Sequence, residues 1–180
     1  TVYYALADNP TDKYLVMTLD GGGDGECATV SIATNGNISR LATTPSGNSI
    51  GNIYSNVTHI LGFTPHEHEY KLMGLAAYVP QKHSLEAKNI FRKYLGFDKN
   101  KLIFKRNISE STGDISRRLR RDFKKIRFDN IASGLQEFTE ELVIDWIKNA
   151  IKETGIKKIL LSGGVFMNIK LNKLISECEE

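Results

Sequence analysis

The residues best suited to chemistry lie in one run, Asp20-Gly21-Gly22-Gly23-Asp24-Gly25-Glu26. Glycine permits tight turns, positive φ and close approach of the backbone to a ligand. Successive main-chain N–H groups in such a turn form a nest for phosphate oxygens, and a carboxylate at a strand end can hold the accompanying cation. The same residues also suit a plain hairpin corner in which acid and glycine only make the turn. A second element of this kind, Gly163-Gly164, follows an apolar run and precedes a helix-like one. Free N–H groups at a helix start favour negative charge, although close helix–strand packing calls for glycine too. Asn168 is then expected one turn into that helix, its amide within reach of a ribose or a base.

Other polar groups carry weaker signals. His66-Glu67-His68 has the look of a metal pair, but alternate loop residues rarely suffice without further ligands, and solvent exposure is expected. His59 and His83 read as structural or surface residues. Segment 117–127 carries seven basic groups against the single acid Asp122, which could attract phosphate or nucleic acid. Leu119, Phe123 and Ile126 fall at helical spacing, however, and no aromatic residues interleave on the basic face. A packed helix with a solvated face is expected rather than a nucleic-acid surface.

These residues need elements to position them. Residues 14–19 read as a strand. The next run alternates, with Ala28, Val30 and Ile32 on one face and Thr29 and Ser31 on the other. Asn35-Gly36 is a strong hairpin signal, so 14–44 is expected to form a three-strand antiparallel meander with the glycine-acid turn at its first corner. Ile50, Ile53, Tyr54, Val57, Ile60 and Leu61 recur at helical spacing and stop at Gly62. A polar loop over 64–68 precedes a short helix over 69–78, and a further helix over 84–95 is stopped by Gly96. Leu102-Ile103-Phe104 suggests a short strand.

Ile131, Leu135, Phe138, Leu142, Trp146 and Ala150 form the apolar stripe of a long helix, which places Trp146 in the core. Val143, Ile147 and Ile151 widen the stripe, while Glu137, Glu140, Glu141, Lys148 and Lys152 face away. Asp129 is expected to cap its start and Gly155 to take the left-handed conformation after its end. Residues 158–162 read as a buried strand, followed by a helix to about Ile175. The fold class implied is α/β, a mixed sheet with the meander flanked by helices.

Composition narrows the class. The chain has 180 residues, 41% hydrophobic and 25% charged, with a formal net charge of +3, which suits one globular domain. No apolar run approaches the ~18 residues that a membrane span requires, so no membrane role is expected. Cys27 and Cys178 are far apart and lack metal-ligand spacing, which favours a reducing, cytoplasmic setting. The chain opens at Thr1 without a methionine and closes on Glu179-Glu180, so a piece of something longer is expected.

Two phosphate-type turns on one chain resemble the superfamily of actin and the sugar kinases. The blocks TLDGGGDGECATV, GNIYSNVTHILGF, HEYKLMGLAAY and LLSGGVFMNIKLN narrow the match. They follow in the order seen in the O-carbamoyltransferases of antibiotic and nodulation-factor biosynthesis. The resemblance covers most of residues 1–175 apart from the stretch around 80–127. It implies an actin-like ATPase (ribonuclease H-like) domain.

In that family ATP activates a carbamoyl group as carbamoyl-adenylate in a separate C-terminal domain. The N-terminal domain, which this chain resembles, passes the carbamoyl to a hydroxyl of a small-molecule acceptor. That domain is similar to the tRNA threonylcarbamoyladenosine enzymes and binds a divalent metal, often iron, beside the nucleotide. By resemblance, Asp20 is the metal-binding aspartate, and Gly22, Gly23 and Asp24 form the phosphate-facing turn. Gly163, Gly164 and Asn168 match the GGV-x-x-N nucleotide motif, while Glu69 and Lys71 line the adenosine side. As bare residues, Lys71 also suits an exposed helix face and Glu69 a helix N-terminus.

The family's histidine pair would precede the run Thr1-Val2-Tyr3-Tyr4-Ala5, and a later aspartate ligand would follow Glu180. The carbamoyl-activating domain is absent too, so residues 1–180 are expected to be a domain truncated at both ends and inactive alone. A sugar-kinase-type phosphotransferase would use the same turns, but kinases lack the block at 69–76. A non-catalytic nucleotide- or RNA-binding module is the third reading. The catalytic base is unknown, and the acceptor, the metal's identity and a homodimeric state stay open.

Overall fold

The computed structural model describes residues 11–178; the run at 1–5 lies outside them. Strands β1 (Tyr14–Gly23), β2 (Glu26–Thr34) and β3 (Asn37–Pro45) form the antiparallel meander. Asp24 and Gly25 have φ of 52° and 82°, and Asn35 and Gly36 have 48° and 75°. Paired positive φ values match the right-handed strand twist, which is why Asp-Gly and Asn-Gly occupy the corners. The first turn is therefore tighter than the sequence suggests: Asp20 to Gly23 extend β1, and Asp24-Gly25 alone reverses the chain. β2 is also buried on both faces, since Thr29 and Ser31 are covered as fully as Ala28. The Thr29 hydroxyl is satisfied by that of Thr18 at 2.7 Å.

The fourth strand, β6 (Ile159–Ser162), runs parallel to β1, giving a mixed sheet of order β3-β2-β1-β6. Expected to be buried, β6 has β1 as its one strand neighbour among the described residues, and Ile159, Leu160 and Leu161 are only half-covered. Between β3 and β6 lie α1 (Ile50–Ile60), α2 (Glu69–Ala76), α3 (Gln81–Tyr94), α4 (Ser116–Asp122) and α5 (Phe128–Thr154), with α6 (Ile169–Ser176) following β6. Gly96 does not stop α3. The helix passes directly into β4 (Leu95–Asp98), which the sequence reading missed and which pairs with β5 (Ile103–Arg106).

α5 is the spine. Its stripe of Ile131, Leu135, Phe138, Leu142, Trp146 and Ala150 is buried as expected, and the Trp146 indole N–H donates to the Leu102 carbonyl at 2.8 Å. Gly155 ends it at φ 68°. Its start differs from expectation: Arg127 is the N-cap residue, and Asp129 sits in the first turn paired to Arg127 at 2.8 Å. Nor do Glu137 and Glu140 face away. Glu137 is half-buried, paired with Lys88 of α3 at 3.1 Å and bonded by the Ser84 hydroxyl. The helix is covered on more than one side, so its polar residues near α3 must find internal partners.

The basic segment is a packed helix, with Leu119 and Phe123 of α4 and its following turn buried. Arg118 is paired to Glu110 at 2.7 Å. Among the described residues no helix is long and apolar enough to cross a membrane.

Gly134 shows how closely α3 and α5 cross. A Cβ there would lie 2.6 Å from Ala87 Cβ and 2.7 Å from Lys88 N. Helix propensity favours alanine by ~1 kcal/mol, but overlap with backbone forces a shift that costs ~1–3 kcal/mol. Gly134→Ala is therefore expected to lower the urea midpoint, whereas a gain would show that the helices separate freely.

Candidate functional site

The parallel pairing of β1 with β6 sets Thr18 opposite Ser162, so both strands deliver their next residues to the same end of the sheet. Gly163 has φ 111°, and a Cβ there would fall 2.3 Å from the Leu19 carbonyl oxygen. A side chain is excluded on both counts. Gly164 then meets the Asp20 carboxylate, with a Cβ position 3.1 Å from Oδ1. The two glycine elements, one near each end of the described chain, thus touch.

Past Leu19 the β1–β2 ladder is interrupted. Leu19 faces Ala28 and the next pair is Gly23 with Glu26, so Asp20, Gly21 and Gly22 have no partner on β2. Their main-chain groups serve other purposes. The Asp20 carbonyl accepts from Ser49 Oγ at 2.9 Å, and the Gly21 N–H donates to Asp20 Oδ1 at 2.7 Å. Ser49 Oγ also accepts from the Asn52 N–H at 3.0 Å. One hydroxyl therefore caps α1 and ties it to β1. Gly51 lets the helix approach: a Cβ there would be 2.8 Å from Gly21 N and 2.9 Å from Asp20 O.

A cleft of about 420 Å³ opens at this junction. Asp20, Gly21 and Gly164 line it, with Gly51, Tyr54 and Ser55 from α1. Glu69, Tyr70 and Met73 of α2 contribute, as do His66 and Glu67 of the preceding loop and Val165, Met167 and Asn168 beyond Gly164. His66 is exposed as expected, yet it faces this cleft. It has φ 67°, and its N–H donates to Glu69 Oε1 at 2.6 Å. His68 is occupied, its Nδ1 accepting from the Thr64 N–H at 3.1 Å.

Of the residues singled out in the sequence, Asp20, Glu69, Gly164 and Asn168 share the cleft. Gly163 lies behind it against Leu19. Gly22, Gly23 and Asp24 are at the β1–β2 corner, outside the lining. Lys71 is outside it too, with Nζ 5.5 Å from the Phe63 ring centroid and 5.9 Å from that of Tyr70. Asn168 is not one turn into a helix. Gly164 to Met167 form a 3₁₀ turn, and Asn168 is the N-cap of α6, its Oδ1 accepting from the Leu171 N–H at 3.1 Å. The paired glycines shorten the connection, so the helix starts later than periodicity alone implies.

Gly51, Tyr54, Ser55 and Gln136 are not singled out as site residues by the sequence, in which Tyr54 reads only as part of an apolar helix stripe. Gly51 carries a usable signal, since glycine in the first turn of an amphipathic helix costs stability and usually has a packing reason. Tyr54 Oη donates to Gln136 Oε1 at 3.1 Å beneath the cleft. Burial, then the charges of Glu140 and Glu69, push the Tyr54 phenol well above its ordinary range, so it stays a neutral donor. Cys27 is no nucleophile: burial, opposed by a Ser49 hydrogen bond, pushes its thiol up to about 12.

Asp20, Glu67 and Glu69 give the cleft an acidic lining against the single histidine His66. Asp20 suits one ligand of a cation, but among the described residues no group of three His, Cys, Asp or Glu side chains is placed to hold a metal ion. The described donors do not complete such a site.

The family model for the carbamoyltransferase N-terminus matches residues 2–179. The chain is 33% identical over 170 residues to an uncharacterized protein of Methanocaldococcus jannaschii, covering 91% of this chain and 32% of that protein. Against nodulation protein NolNO of Sinorhizobium fredii it is 31% identical over 170 residues, covering 89% of the chain and 24% of the relative. A tRNA N6-adenosine threonylcarbamoyltransferase of Borrelia hermsii is 43% identical over 56 residues, 31% of this chain and 17% of that enzyme. The chain thus spans a third or less of each of these proteins.

Two glycine substitutions separate packing from propensity. Gly51→Ala should displace the Asp20–Gly21 backbone and lower the thermal midpoint by several degrees, on the order of 1–3 kcal/mol. Gly74→Ala, in α2 with nothing within 4 Å of the added Cβ, should raise the midpoint through a stability gain of up to ~1 kcal/mol. Equal effects in a thermal melt would contradict the close approach of α1 to β1.

Proposed function

The chain belongs to the carbamoyltransferase family as its N-terminal region, and from that premise we propose that the cleft takes the nucleotide of an O-carbamoyl transfer. The ligand is ATP or carbamoyl-adenylate, and the carbamoyl passes to a hydroxyl of a small molecule. The observation that carries this reading is the contact of Asp20 with Gly164 at one end of a cleft also lined by Glu69 and Asn168. Three residues assigned to the nucleotide by resemblance, Glu69, Gly164 and Asn168, share one cavity with Asp20, the residue assigned to its metal. An antiparallel meander with a later strand added parallel to its first supports the actin-like assignment.

The chemistry follows from the charges. The acceptor oxygen attacks the carbamoyl carbon, the bond from that carbon to the phosphate oxygen breaks, AMP departs, and the hydroxyl proton is released. Negative charge grows on the carbamoyl oxygen and on the leaving phosphate, so fixed donors near both lower the barrier. The Gly21 N–H, off the β2 ladder and donating to Asp20 Oδ1, borders the cleft and would turn to the ligand once that carboxylate is engaged by a cation. The acidic lining imposes a condition: a polyphosphate enters beside Asp20, Glu67 and Glu69 only with a cation to offset their repulsion. Asp20 would supply one carboxylate toward such an ion, whose coordination the described residues do not complete. The carbamoyl-activating step belongs to a further domain.

Calorimetric titration of ADP with a divalent cation tests the site. Binding should weaken about tenfold on adding EDTA and by a similar factor in Asp20→Asn. Tighter binding by Asp20→Asn would mean that the carboxylate only repels phosphate. For the reaction, the full-length protein, with its carbamoyl-activating domain, is incubated with ATP, carbamoyl phosphate and hydroxyl compounds, and the products are weighed by mass spectrometry. A carbamoyl adduct is expected, and a phosphoryl adduct would assign a kinase instead.

A further inference from the structure

Beneath the cleft, one buried amide governs another. Gln136 of α5 and Asn168 at the start of α6 are 2% and 8% exposed, and their side-chain amides bond reciprocally. Asn168 Nδ2 donates to Gln136 Oε1 at 2.9 Å, and Gln136 Nε2 donates to Asn168 Oδ1 at 3.1 Å. The orientation of each amide is fixed by a partner that cannot reverse. The Leu171 main-chain N–H only donates, so it holds Asn168 Oδ1. Glu140 accepts from Gln136 Nε2 at 2.7 Å, and Tyr54 Oη donates to Gln136 Oε1.

The hydrogen-bond inventory then closes almost completely. Gln136 has both N–H groups donated and both oxygen lone pairs filled. Asn168 Oδ1 has accepted twice, from Leu171 and from Gln136. Among the bonds of the described residues, one Asn168 N–H is left, and Asn168 lines the cleft.

We infer that Gln136 is a positioning residue that locks Asn168 so that the cleft meets one N–H donor and no acceptor at this point. The ligand atom bound there must therefore be a hydrogen-bond acceptor, such as a ribose oxygen or a ring nitrogen of a nucleoside. This rests on the nucleotide reading and sharpens it. An isolated asparagine is ambivalent, able to turn either end of its amide to a ligand. Flipping this one would set its NH₂ against the Leu171 N–H and leave two buried amides mismatched, at a cost of ~1–3 kcal/mol for each group left unsatisfied. Gln136 thus acts on ligand choice without lining the cleft itself.

A double-mutant cycle read by calorimetry with ADP tests the coupling. Gln136→Leu should weaken binding by about three- to tenfold in the wild-type background, as for the loss of one well-placed hydrogen bond. It should have little effect on affinity in Asn168→Ala, because Gln136 acts through that amide. Equal losses in both backgrounds would overturn the inference, since a merely structural role predicts them. Polarity is read with uncharged adenosine: Asn168→Asp, which offers only acceptors, should bind no better than Asn168→Ala, and recovered affinity would overturn donor polarity.

Side-chain amide exchange measured by NMR on the unaltered protein needs no variant to fold and no ligand. Both Gln136 protons should exchange slowly. Fast exchange in the wild type overturns the lock whatever ADP does. If ADP fails to bind at millimolar concentration while those protons stay slow, the nucleotide reading falls and the lock stands.

Discussion

The structure depends on the contact between the Leu19 carbonyl and the backbone of Gly163. There β1 and β6 come so close that no Cβ fits, and only then can Asp20 and Gly164 meet. A parallel pair needs a long crossover between its strands, and here it runs through β2, β3, the β4–β5 hairpin and α1 to α5. The long-range contact is entropically costly to close and is repaid by burial along α5, whose apolar stripe packs Trp146, Phe138 and Leu135 into one core. The site is thus a product of the sheet's order: the crossover helices cover the sheet, and the strand ends that they connect hold the chemistry.

A second constraint is polar satisfaction along the spine. α5 is enclosed well beyond a single face, so Gln136, Glu137 and Glu140 must bond inside the protein. Glu137 does so with α3 through Lys88, and Gln136 with α1 and α6 through Tyr54 and Asn168. Buried networks of this kind are costly when one member is missing and rigid when all are present. Rigidity next to a cleft has a functional meaning, because the orientation of one amide decides which ligand atoms are accepted there.

Charge sets the terms on which the cleft can work. Under the proposed reading, Asp20, Glu67 and Glu69 would repel a phosphate that enters the cleft, and a cation would have to offset them. The basic segment around α4, which carries the chain's most concentrated positive charge, takes no part in the cleft. Its apolar residues pack inward, and Arg118 is engaged by Glu110.

By itself the sequence determined the meander, the long helix, both glycine turns and the family. Each is written in short-range terms: Asp-Gly and Asn-Gly fix hairpin corners by φ, and a 3.6-residue apolar period fixes a helix stripe. It misjudged Asp129 and the start of α6, where hydrogen-bond geometry rather than periodicity decides, and it missed β4, whose four residues follow a helix without a break. Tertiary structure alone decided that Lys71 and Asp24 lie outside the cleft while Gly51 and Tyr54 belong to it. It also turned Gln136, one polar residue among many on a helix, into the partner of Asn168. Those outcomes depend on which surfaces meet across dozens of residues, and no local pattern encodes a distance between α1, α5 and α6.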